Sequence, residues 1–396
     1  VRRIVRASIP KVVIPHPNLV AGVLEVLERT FGQRLYADRV VDQVLRANKR
    51  WGARDRAFVA EHSYELVRWW GLIWHLHGTE PVVKRKQLKE LFDTYWTWRS
   101  EGMNVPADLD VALAQSYAPW FAERASAELG TDWPVLATAL NRPAHVVLRA
   151  NTLKTNREAV LERLTAEGVD AAVSDVAPDA LVLAKRPRLQ HLESFKDGWY
   201  EVHDGGSQRI AAYLEPQPGD RILDGCSGAG GKALHAAALA GNQAEIRCMD
   251  VEAYKLGEAE KRALRAGVSG LRTELIRSPR DVQRHAGWAN KMLLDVPCSG
   301  TGVIRRDVDT KWKLQPEHLE RTRETQYGIL RDYSEALQSG GTLVYATCSI
   351  LRSENEDQVR RFIDEKNGAY TLREEVRISP EHPHSDGYYV AVLHKH

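Results

Sequence analysis

The sequence predicts an α/β fold with a mostly parallel sheet for the carboxyl-terminal part of this 396-residue chain, after a helical region and a small α+β region. Three short apolar runs favour the sheet: Arg221–Asp224 leads into a glycine-rich turn, Lys291–Asp295 ends in an acid, and Gly341–Cys348 ends in a thiol. Such runs, stopped by turn-forming residues, are typical of buried parallel strands. Open parallel sheets bind ligands beyond the carboxyl ends of their strands, so we expect a site where these runs end.

The composition is that of an ordinary globular protein. With 27% charged and 43% hydrophobic residues, the chain is long enough for two or three domains with their own cores. No apolar run approaches the roughly 20 residues that span a bilayer. Val1–Arg6 lacks the apolar stretch of a secretory signal, so we expect a cytoplasmic protein without membrane association. The net charge of +2 gives no general nucleic-acid signature, and any such contact would depend on local basic patches.

The four cysteines, Cys226, Cys248, Cys298 and Cys348, are widely spaced and form no Cys-x-x-Cys pair. No histidine lies near them at the spacing of a zinc site, so we expect free thiols and no metal. A single strand-end cysteine is as compatible with core packing as with chemistry, because free cysteine is commonly buried. Two strand-end thiols, Cys298 and Cys348, each followed by serine, favour chemistry.

Residues 1–115 are predicted to form a helical domain. Apolar residues recur at helical spacing in 19–27 and in 40–45, and Asp55 is a predicted N-cap for the helix that reaches Trp70. Most tryptophans lie before residue 140, where core packing is favoured over base stacking. A basic cluster opens another helix and either contacts phosphates or forms a solvated face; it comprises Lys84, Arg85, Lys86 and Lys89.

Residues 116–198 are predicted to form a small α+β domain. His145–Asn151 has the pattern of a strand, and Thr155 is a predicted N-cap for the helix after it. Ala171–Val173 and Leu181–Leu183 have the pattern of two further short strands.

The turn Gly228–Lys232 follows the first strand of a third domain, residues 199–396. Small residues let the backbone approach a ligand, and the N–H groups at the start of the next helix suit a carboxylate. A Walker A loop is excluded, because Ala233 stands where Ser or Thr would bind magnesium. Asp250 ends the next strand, where an acid can accept hydrogen bonds from ribose hydroxyls; an N-cap role is equally compatible.

Three motifs in combination carry a resemblance: the turn after Leu223, the dipeptide Pro297-Cys298, and the tripeptide Thr347-Cys348-Ser349. Together they resemble the Sun-type RNA cytosine-5 methyltransferases, and most closely their bacterial small-subunit rRNA members. The resemblance implies a seven-stranded, mostly parallel, Rossmann-like sheet over 199–396, with helices on both faces. Tyr388–Leu393 would be the antiparallel closing strand.

The resemblance also implies S-adenosylmethionine as cofactor and a role for each strand-end group. The residues that would hold the cofactor are Cys226, Ser227, Gly228, Ala229, Gly230, Gly231, Lys232, Asp250, Lys255, Asp281 and Asp295. Cys348 would be the nucleophile, Cys298 would assist product release, and Asp295 would hydrogen-bond the base. Pro-Cys is also the nucleophile motif of DNA cytosine methyltransferases, so spacing alone leaves the choice of thiol open. DNA methylation is the second hypothesis, and a noncatalytic RNA-binding protein the third.

RNA is the implied partner, and the chain is expected to act as a monomer. Trp51–Val59 and the helix after it resemble the NusB-like RNA-binding domain of bacterial members, which favours rRNA over tRNA. An Arg-x-Asn segment and the basic loop after Cys298 are the implied contacts with RNA. Their residues are Arg149, Asn151, Arg305, Arg306, Lys311 and Trp312. The alternatives are an Asn in a strand-to-loop turn and a solvated basic loop.

The sequence departs from the family pattern in three places. Ala229 replaces a proline in the turn, Asn290 replaces an Asp, and Arg277–Asp281 replaces the usual Gly-Asp after a third strand. Asp281 is therefore a candidate for the acid on the adenine side, or the site does without one. Lys255 stands where the family usually has Arg.

Overall fold

The structure, a computed structural model, describes residues 15–396, and the chain divides into two compact units. The first unit runs to Arg124 and also contains Asp307–Lys313, a segment from far along the sequence. The second unit consists of Ala125–Arg306 and Leu314–His396. The prediction for Val1–Arg6 lies outside the described residues. Within the described part, none of the helices combines the length and apolar character that a bilayer span requires.

The first unit is helical, as predicted. Its helices are α1 (Pro17–Leu27), α2 (Ala37–Ala47), α3 (Ala53–Arg68), α4 (Trp70–His77), α5 (Arg85–Ser100), α6 (Val111–Ala114) and, from the distant segment, α15 in chain order (Thr310–Lys313). The prediction that Asp55 is an N-cap was wrong by three residues. Gly52 is the N-cap of α3, and Asp55 accepts a hydrogen bond from the Gly52 N–H at 3.1 Å. The acid therefore closes the first turn from inside the helix.

Large aromatic side chains fill the core of the first unit. Trp51, Trp70, Trp74 and Trp98 are all buried there, which confirms core packing for these four. Val308, from the distant segment, is buried in the same core. In the basic cluster that opens α5, two side chains pair with acids of the same unit: Arg85 with Glu28 at 2.8 Å and Lys89 with Asp93 at 2.6 Å. RNA contact by this cluster stays a prediction.

The second unit contains a small antiparallel sheet with strand order β2-β3-β1-β4. Its strands are β1 (Val146–Ala150), β2 (Ala171–Val173), β3 (Ala180–Leu183) and β4 (Tyr200–Val202). The helix between β1 and β2 is capped by Asn156, whose side chain accepts from the Ala159 N–H at 2.9 Å, and not by the predicted Thr155. Because β4 lies beyond residue 198, the small sheet extends past the predicted domain boundary.

The main sheet has seven strands in the order β10-β11-β9-β8-β5-β6-β7. They are β5 (Arg221–Asp224), β6 (Glu245–Asp250), β7 (Leu271–Leu275), β8 (Ala289–Asp295), β9 (Leu337–Thr347), β10 (Tyr370–Ile378) and β11 (Tyr388–Lys395). Neighbours from β7 to β9 pair in parallel, whereas β11 pairs antiparallel with both β9 and β10. The mostly parallel sheet and its antiparallel closing strand are therefore confirmed.

Helices cover both faces of this sheet, as expected. The helices of the second unit are α7 (Pro119–Leu129, which begins in the first unit), α8 (Trp133–Leu140), α9 (Arg157–Ala166), α10 (Glu193–Lys196), α11 (Gly205–Ala212), α12 (Gly231–Leu239), α13 (Ala253–Ala266), α14 (Pro279–Gln283), α16 (Pro316–Tyr333) and α17 (Glu356–Glu365). Neighbouring residues of one strand lie in the hydrophobic cores on opposite faces of the sheet. Leu223 packs in the core that contains α14, α16 and α17, and Ile222 packs in the core that contains α11 and α12. This alternation is the two-residue period of a strand buried on both sides.

Candidate active site

The candidate site lies at the carboxyl edge of the main sheet. Strand β5 ends at Asp224, β6 at Asp250 and β8 at Asp295, and Cys348 directly follows β9. Strand β5 has β6 on one side and β8 on the other, so the order of strands reverses there. Open α/β sheets bind ligands at such a switch point.

The glycine-rich turn after β5 is fixed by hydrogen bonds to the neighbouring strand. The Ser227 N–H donates to the Met249 carbonyl at 3.0 Å, and the Gly228 N–H donates to the Asp250 carboxylate at 2.8 Å. Gly230 has a φ of 77°, which favours glycine. Helix α12 begins directly after it, so the first N–H groups of that helix have no intrahelical acceptor. The turn therefore presents N–H donors next to a strand-end acid.

Lys232, in the first turn of α12, is paired with the acid at the end of β8. Its Nζ lies 2.5 Å from Asp295 Oδ2, and 15% of its side chain is exposed. Burial opposes the charge, yet the Asp295 carboxylate raises the pKa of Lys232 above its ordinary value, and Asp224 and Cys348 act in the same direction. The lysine therefore stays protonated and holds Asp295 in place.

A cavity of about 230 Å³ opens beside this pair. Its lining residues are Val202, His203, Ser207, Asp224, Cys226, Ser227, Ala229, Gly231, Lys232, Arg262 and Asp295. The lining thus combines carboxylates, cationic groups and small residues, which suits a ligand with both charged and hydrogen-bonding groups.

Asp224 is the most deeply buried acid of the cavity. It is 1% exposed, and its Oδ1 atom lacks a hydrogen-bond partner among the described residues. Burial and then the negative charge of Asp295 raise the pKa of Asp224 to about 7. A strand-end carboxyl with such a pKa exchanges its proton near neutral pH.

The two strand-end thiols meet in space. Cys298 Sγ and Cys348 Sγ lie 3.2 Å apart and share a hydrogen bond, although 50 residues separate them in the sequence. The hydrogen bond with Cys348, together with burial, raises the pKa of Cys298 well above its ordinary value. All four cysteines are free thiols. The site therefore holds two neighbouring thiols, of which Cys298 resists ionisation.

The three outer residues of the predicted cofactor site already have partners. Asp250 accepts from the backbone N–H groups of Gly228 and Glu252, and Lys255 pairs with the Glu252 carboxylate at 2.5 Å. Asp281 accepts from the N–H groups of Arg277 and Ser278, directly before α14, at 2.9 Å each. Asp281 is thus the capping acid of that helix, and its role on the adenine side stays a prediction.

Arg149 and Asn151, predicted to contact RNA, are buried. Arg149 is 3% exposed, and burial lowers its pKa to about 10. The side-chain amide of Asn151 donates to the carbonyls of Gly198 at 2.8 Å and Ala266 at 2.9 Å. Both residues thus lie buried at the end of β1, and Asn151 ties this strand to two distant segments of the chain. RNA contact by Arg149 and Asn151 stays a prediction.

Arg305 and Arg306 likewise bind protein groups. Arg305 donates to several backbone carbonyls, including that of Ser385 at 2.8 Å, and is 3% exposed. Arg306 bridges Asp204 and Asp386, with contacts of 2.6 and 2.5 Å. These arginines fix the loop after Cys298 to the segment before β11, so the structure does not leave their guanidinium groups free to clamp phosphates.

Lys311 and Trp312 belong to the core of the first unit. The Lys311 ammonium donates to the carbonyls of Gln115 at 2.9 Å and Arg68 at 3.2 Å, and the side chain is 2% exposed. The indole N–H of Trp312 donates to the Val67 carbonyl at 2.7 Å. Lys311 is thus buried and Trp312 packs, partly buried, against the helical core. RNA contact by this pair stays a prediction.

Asn290, a departure from the family pattern, has a structural role. Its side chain accepts from the Arg221 N–H at 2.7 Å and donates to the Asp220 carboxylate at 2.6 Å. An Asp at this position would place two carboxylates in contact, so the amide fits its neighbour.

One group in the described part of the chain has the composition of a metal site. Potential ligand atoms of Asp175, His382 and His384 lie within 4.8 Å of one another. His382 Nδ1 accepts from the His384 N–H at 3.1 Å, and its Nε2 faces Asp175 at 3.0 Å. A metal-bound imidazole normally donates its second ring N–H to an acceptor, which His382 cannot do here. The arrangement suits a hydrogen bond from His382 to Asp175, and the absence of a metal site stays a prediction.

Five lining residues of the cavity were not predicted from the sequence, and three of them, Asp224, His203 and Arg262, are titratable. Asp224 could have been found by the rule that identified Asp250, because both are acids at the end of a strand. His203 is buried with its Nε2 3.1 Å from Ser207 Oγ, and burial lowers its pKa well below the ordinary value. Arg262 donates to the Ala229 carbonyl at 2.8 Å from α13. Neither His203 nor Arg262 carries a local signal in the sequence. Arg262, for example, reaches the turn only because α13 packs beside it in the folded chain.

The fold and site define a Rossmann-like methyltransferase domain: a parallel sheet with one antiparallel strand, a glycine-rich turn, strand-end acids and two thiols. Residues 211–394 match the family model of the 16S rRNA methyltransferase RsmB/F, and residues 117–190 match that of the RsmF/B-like, ferredoxin-like domain. The chain belongs to the RsmB/F methyltransferase family.

Relatives support this assignment. The chain is 32% identical over 330 residues to the ribosomal RNA small subunit methyltransferase B of Enterobacter sp. (strain 638), covering 79% of this chain and 75% of the relative. It is 28% identical to a probable ribosomal RNA small subunit methyltransferase B of Synechocystis sp., covering 78% and 74%. The crystal structure of PH0851 has the same fold, with a TM-score of 0.79 and 20% identity over 97% of this chain and all of that one.

Proposed function

We propose that this chain transfers a methyl group from S-adenosylmethionine to carbon 5 of a cytosine in small-subunit rRNA, through a covalent adduct between Cys348 and carbon 6. The observation that carries the proposal is the pair of thiols at adjacent strand ends, whose sulfurs lie 3.2 Å apart beside the Lys232–Asp295 pair. A noncatalytic RNA-binding module has no use for two such thiols. The curated relatives, whose names refer to small-subunit ribosomal RNA, support RNA as the substrate.

The residues around the turn suit the cofactor. S-adenosylmethionine supplies an electrophilic methyl group when it is bound. The N–H groups at the start of α12 suit its carboxylate, and Asp250 suits its ribose hydroxyls. Each Asp250 carboxylate oxygen accepts one backbone N–H, and each can accept a second donor such as a ribose hydroxyl.

Cys348 is assigned as the nucleophile on chemical grounds. Carbon 5 of cytosine is a weak nucleophile, and addition of a thiolate to carbon 6 moves electron density onto carbon 5. Carbon 5 would then form its bond to the methyl carbon while the bond between that carbon and the sulfonium sulfur of bound S-adenosylmethionine breaks, with S-adenosylhomocysteine as the leaving group. Loss of the carbon 5 proton to a base restores the double bond of the ring and expels the Cys348 thiolate.

Asp295 is proposed to stabilise the electron density that addition pushes towards N3 and the amino group of the base. A preorganised hydrogen-bonding group at that edge lowers the barrier, because it needs no reorientation during the reaction. Lys232 holds the Asp295 carboxylate at 2.5 Å, which supports this positioning.

Cys298 is proposed to assist release of the product. The raised pKa of Cys298 favours the protonated thiol at neutral pH, and a protonated thiol is a poor nucleophile. Its hydrogen bond to Cys348 supports a role as a partner of the attacking sulfur.

The test separates the two thiols. Cys348→Ala, Cys298→Ala and a control, Cys248→Ala, are incubated with radiolabelled cofactor and unmodified small-subunit rRNA or tRNA. We expect Cys348→Ala to abolish both methyl transfer and any protein–RNA adduct. Cys298→Ala should permit addition and transfer but impair elimination, so an adduct that survives denaturing electrophoresis accumulates. Cys248 is buried in a core of the main sheet, and its variant should keep the wild-type pattern.

Bisulfite sequencing of the product then locates the modified cytosine. Accumulation of the adduct in Cys348→Ala and its loss in Cys298→Ala would reverse the assignment and favour the mechanism of the DNA enzymes. Methylation of tRNA without methylation of rRNA would contradict the proposed substrate.

A further inference from the structure

Glu354 lies buried between the two loops that carry the thiols. Its side chain is fully buried, and Glu354 lies two residues before the start of α17. Burial raises the pKa of Glu354, and its hydrogen-bond donors oppose that shift. A buried carboxyl group is costly unless donors surround it, so its partners indicate its role.

One carboxylate oxygen binds the loop of Cys298. The backbone N–H of Ser299, the residue directly after Cys298, donates to Glu354 Oε1 at 2.8 Å. The Gln326 side-chain amide donates to the same oxygen at 3.1 Å and to the Pro297 carbonyl at 3.0 Å. The residues on both sides of Cys298 are thus attached, directly or through Gln326, to Glu354.

The second oxygen joins that loop to the loop of Cys348. Ser299 Oγ and Ser349 Oγ both donate to Glu354 Oε2, each at 2.5 Å. Ser349 directly follows Cys348, as Ser299 follows Cys298. One carboxylate oxygen therefore binds the residue next to each thiol, and the two loops meet at a single atom.

We propose that Glu354 is a positioning residue that sets the spacing of the Cys298 and Cys348 sulfurs by joining their loops through Ser299 and Ser349. The inference rests on the proposed function, since it explains how two thiols 50 residues apart come to act on the same base. A carboxylate suits the task because two oxygens can accept four donors at fixed angles.

Glu354→Gln and Glu354→Ala differ in the contacts they can keep. Glutamine retains the length of the side chain and one carbonyl oxygen for the Ser299 N–H, and its amide can donate to the serine hydroxyls, which rotate to accept. Alanine retains none of these contacts. Glu356→Ala is the matched control, because Glu356 is also a buried acid near α17 but pairs with Arg377 at 2.5 Å and not with the thiol loops.

The first measurement is thiol spacing without RNA. Phenylarsine oxide bridges two thiols that lie side by side, and Cys298→Ala defines the signal of the unbridged protein. We expect wild type, Glu354→Gln and Glu356→Ala to bind one equivalent tightly, and Glu354→Ala to bind it weakly. Ser349→Ala, which removes one of the four donors, should give an intermediate result and covers the case that Glu354→Ala does not fold.

The second measurement is the split between kcat and KM for methylation of RNA. We expect Glu354→Ala to lower kcat by roughly 10²-fold, the loss typical of a misplacement of about 1 Å, with KM for RNA little changed. Glu354→Gln should restore most of kcat. Wild-type kcat in Glu354→Ala, or unaltered arsenical binding in both Glu354→Ala and Ser349→Ala, would overturn the inference. If the wild-type chain methylates no RNA, the proposed function fails, while arsenical binding still tests whether Glu354 sets the spacing.

Discussion

At the scale of single residues, the candidate site concentrates charge on buried side chains. Asp224 and Asp295 both lie near a single cation, Lys232. Each additional negative charge in a buried group raises the pKa of the next acid, because like charges repel. Asp224 has the raised pKa because it is buried and lacks the direct contact that Asp295 makes with Lys232. The site therefore has one acid paired directly with a lysine, and next to it an acid poised between its two protonation forms.

The pKa of Asp224 predicts a pH-dependent cost to stability. The folded chain, with a pKa of about 7 instead of the ordinary 3.8, binds the Asp224 proton more tightly than the unfolded chain. Its contribution to stability therefore falls as the pH rises from 3.8 to about 7. Asp224→Asn should remove this cost and raise the free energy of unfolding by about 1–4 kcal/mol near pH 8, and by less near pH 5.

Urea unfolding at the two pH values measures this difference. Asp220→Asn is the control, because the Asp220 oxygens accept from the Gln217 N–H at 2.7 Å and from Asn290 at 2.6 Å. Loss of an acceptor should make that variant less stable at both pH values. A gain in Asp224→Asn that is equal at both pH values would contradict the assigned pKa.

Asp250 carries a second prediction at this scale. Asp250→Ala should weaken binding of S-adenosylmethionine by roughly 1–3 kcal/mol, because a charged acceptor for the ribose and for the Gly228 N–H is lost. Isothermal titration calorimetry measures the affinity. Glu258→Ala, which removes an exposed acid of α13 that pairs with Lys261, should leave it unchanged. An unchanged affinity in Asp250→Ala would remove this residue from the cofactor site.

At the scale of elements, close backbone contacts hold the loops that follow β8 and β9. The Gly302 N–H donates to the Cys348 carbonyl at 2.8 Å, and the Gly387 N–H donates to the Gly302 carbonyl at 2.9 Å. A Cβ on Gly302 would lie 2.2 Å from the Gly387 carbonyl oxygen and 2.8 Å from that of Cys348. The loop after Cys298 can approach Cys348 only because this position has no side chain.

Gly302→Ala should therefore push the two thiol loops apart. We expect a loss of about 1–3 kcal/mol in the free energy of unfolding, as for other overpacked sites, and a fall in the rate of methyl transfer. Gly328→Ala is the control, because a Cβ at Gly328 inside α16 would meet open space, and it should stabilise the chain by roughly 0.5–1 kcal/mol. Thermal unfolding measures the stability of both variants, and a methylation assay measures their rate of methyl transfer. Equal stability of Gly302→Ala and Gly328→Ala would contradict the steric argument.

At the scale of the whole molecule, the first unit is discontinuous in sequence. Asp307–Lys313 lies within the stretch that follows Cys298, yet it completes the core of the first unit. The Trp312 indole N–H binds the Val67 carbonyl, and its ring lies 3.0 Å from where a Cβ of Gly71 would be. The core of the first unit therefore depends on residues encoded between β8 and β9.

Trp312→Ala should lower the free energy of unfolding by about 2–4 kcal/mol, because a large packed side chain and a hydrogen bond are lost. Trp312→Phe, which keeps a packed ring, should lose about 1 kcal/mol. Affinity for RNA, measured by filter binding well below the melting temperature, should be unchanged in both. Weaker RNA binding with wild-type stability would instead favour the base-stacking role that the sequence suggested.

Local patterns determined most of the main sheet. The strands that end at Asp224, Asp250 and Asp295 begin and end close to where their apolar runs do, because a buried parallel strand is recognised from a few consecutive residues. The same patterns placed the acids and thiols at strand ends. The topology of a parallel sheet then brings those ends to one edge, whatever the loops between them do.

The tertiary structure decided which polar side chains face a ligand and which are internal supports. Arg149, Asn151 and Lys311 have the residue types of RNA-binding groups, but each donates to or lies among protein groups that are distant in sequence. Glu354 likewise joins the two thiol loops through Ser299 and Ser349, which are about 50 residues apart in the sequence. Sequence by itself determined the strands and the groups at their ends, since these follow from neighbouring residues. Burial and hydrogen-bond partners follow from long-range packing, and only the folded chain decided them.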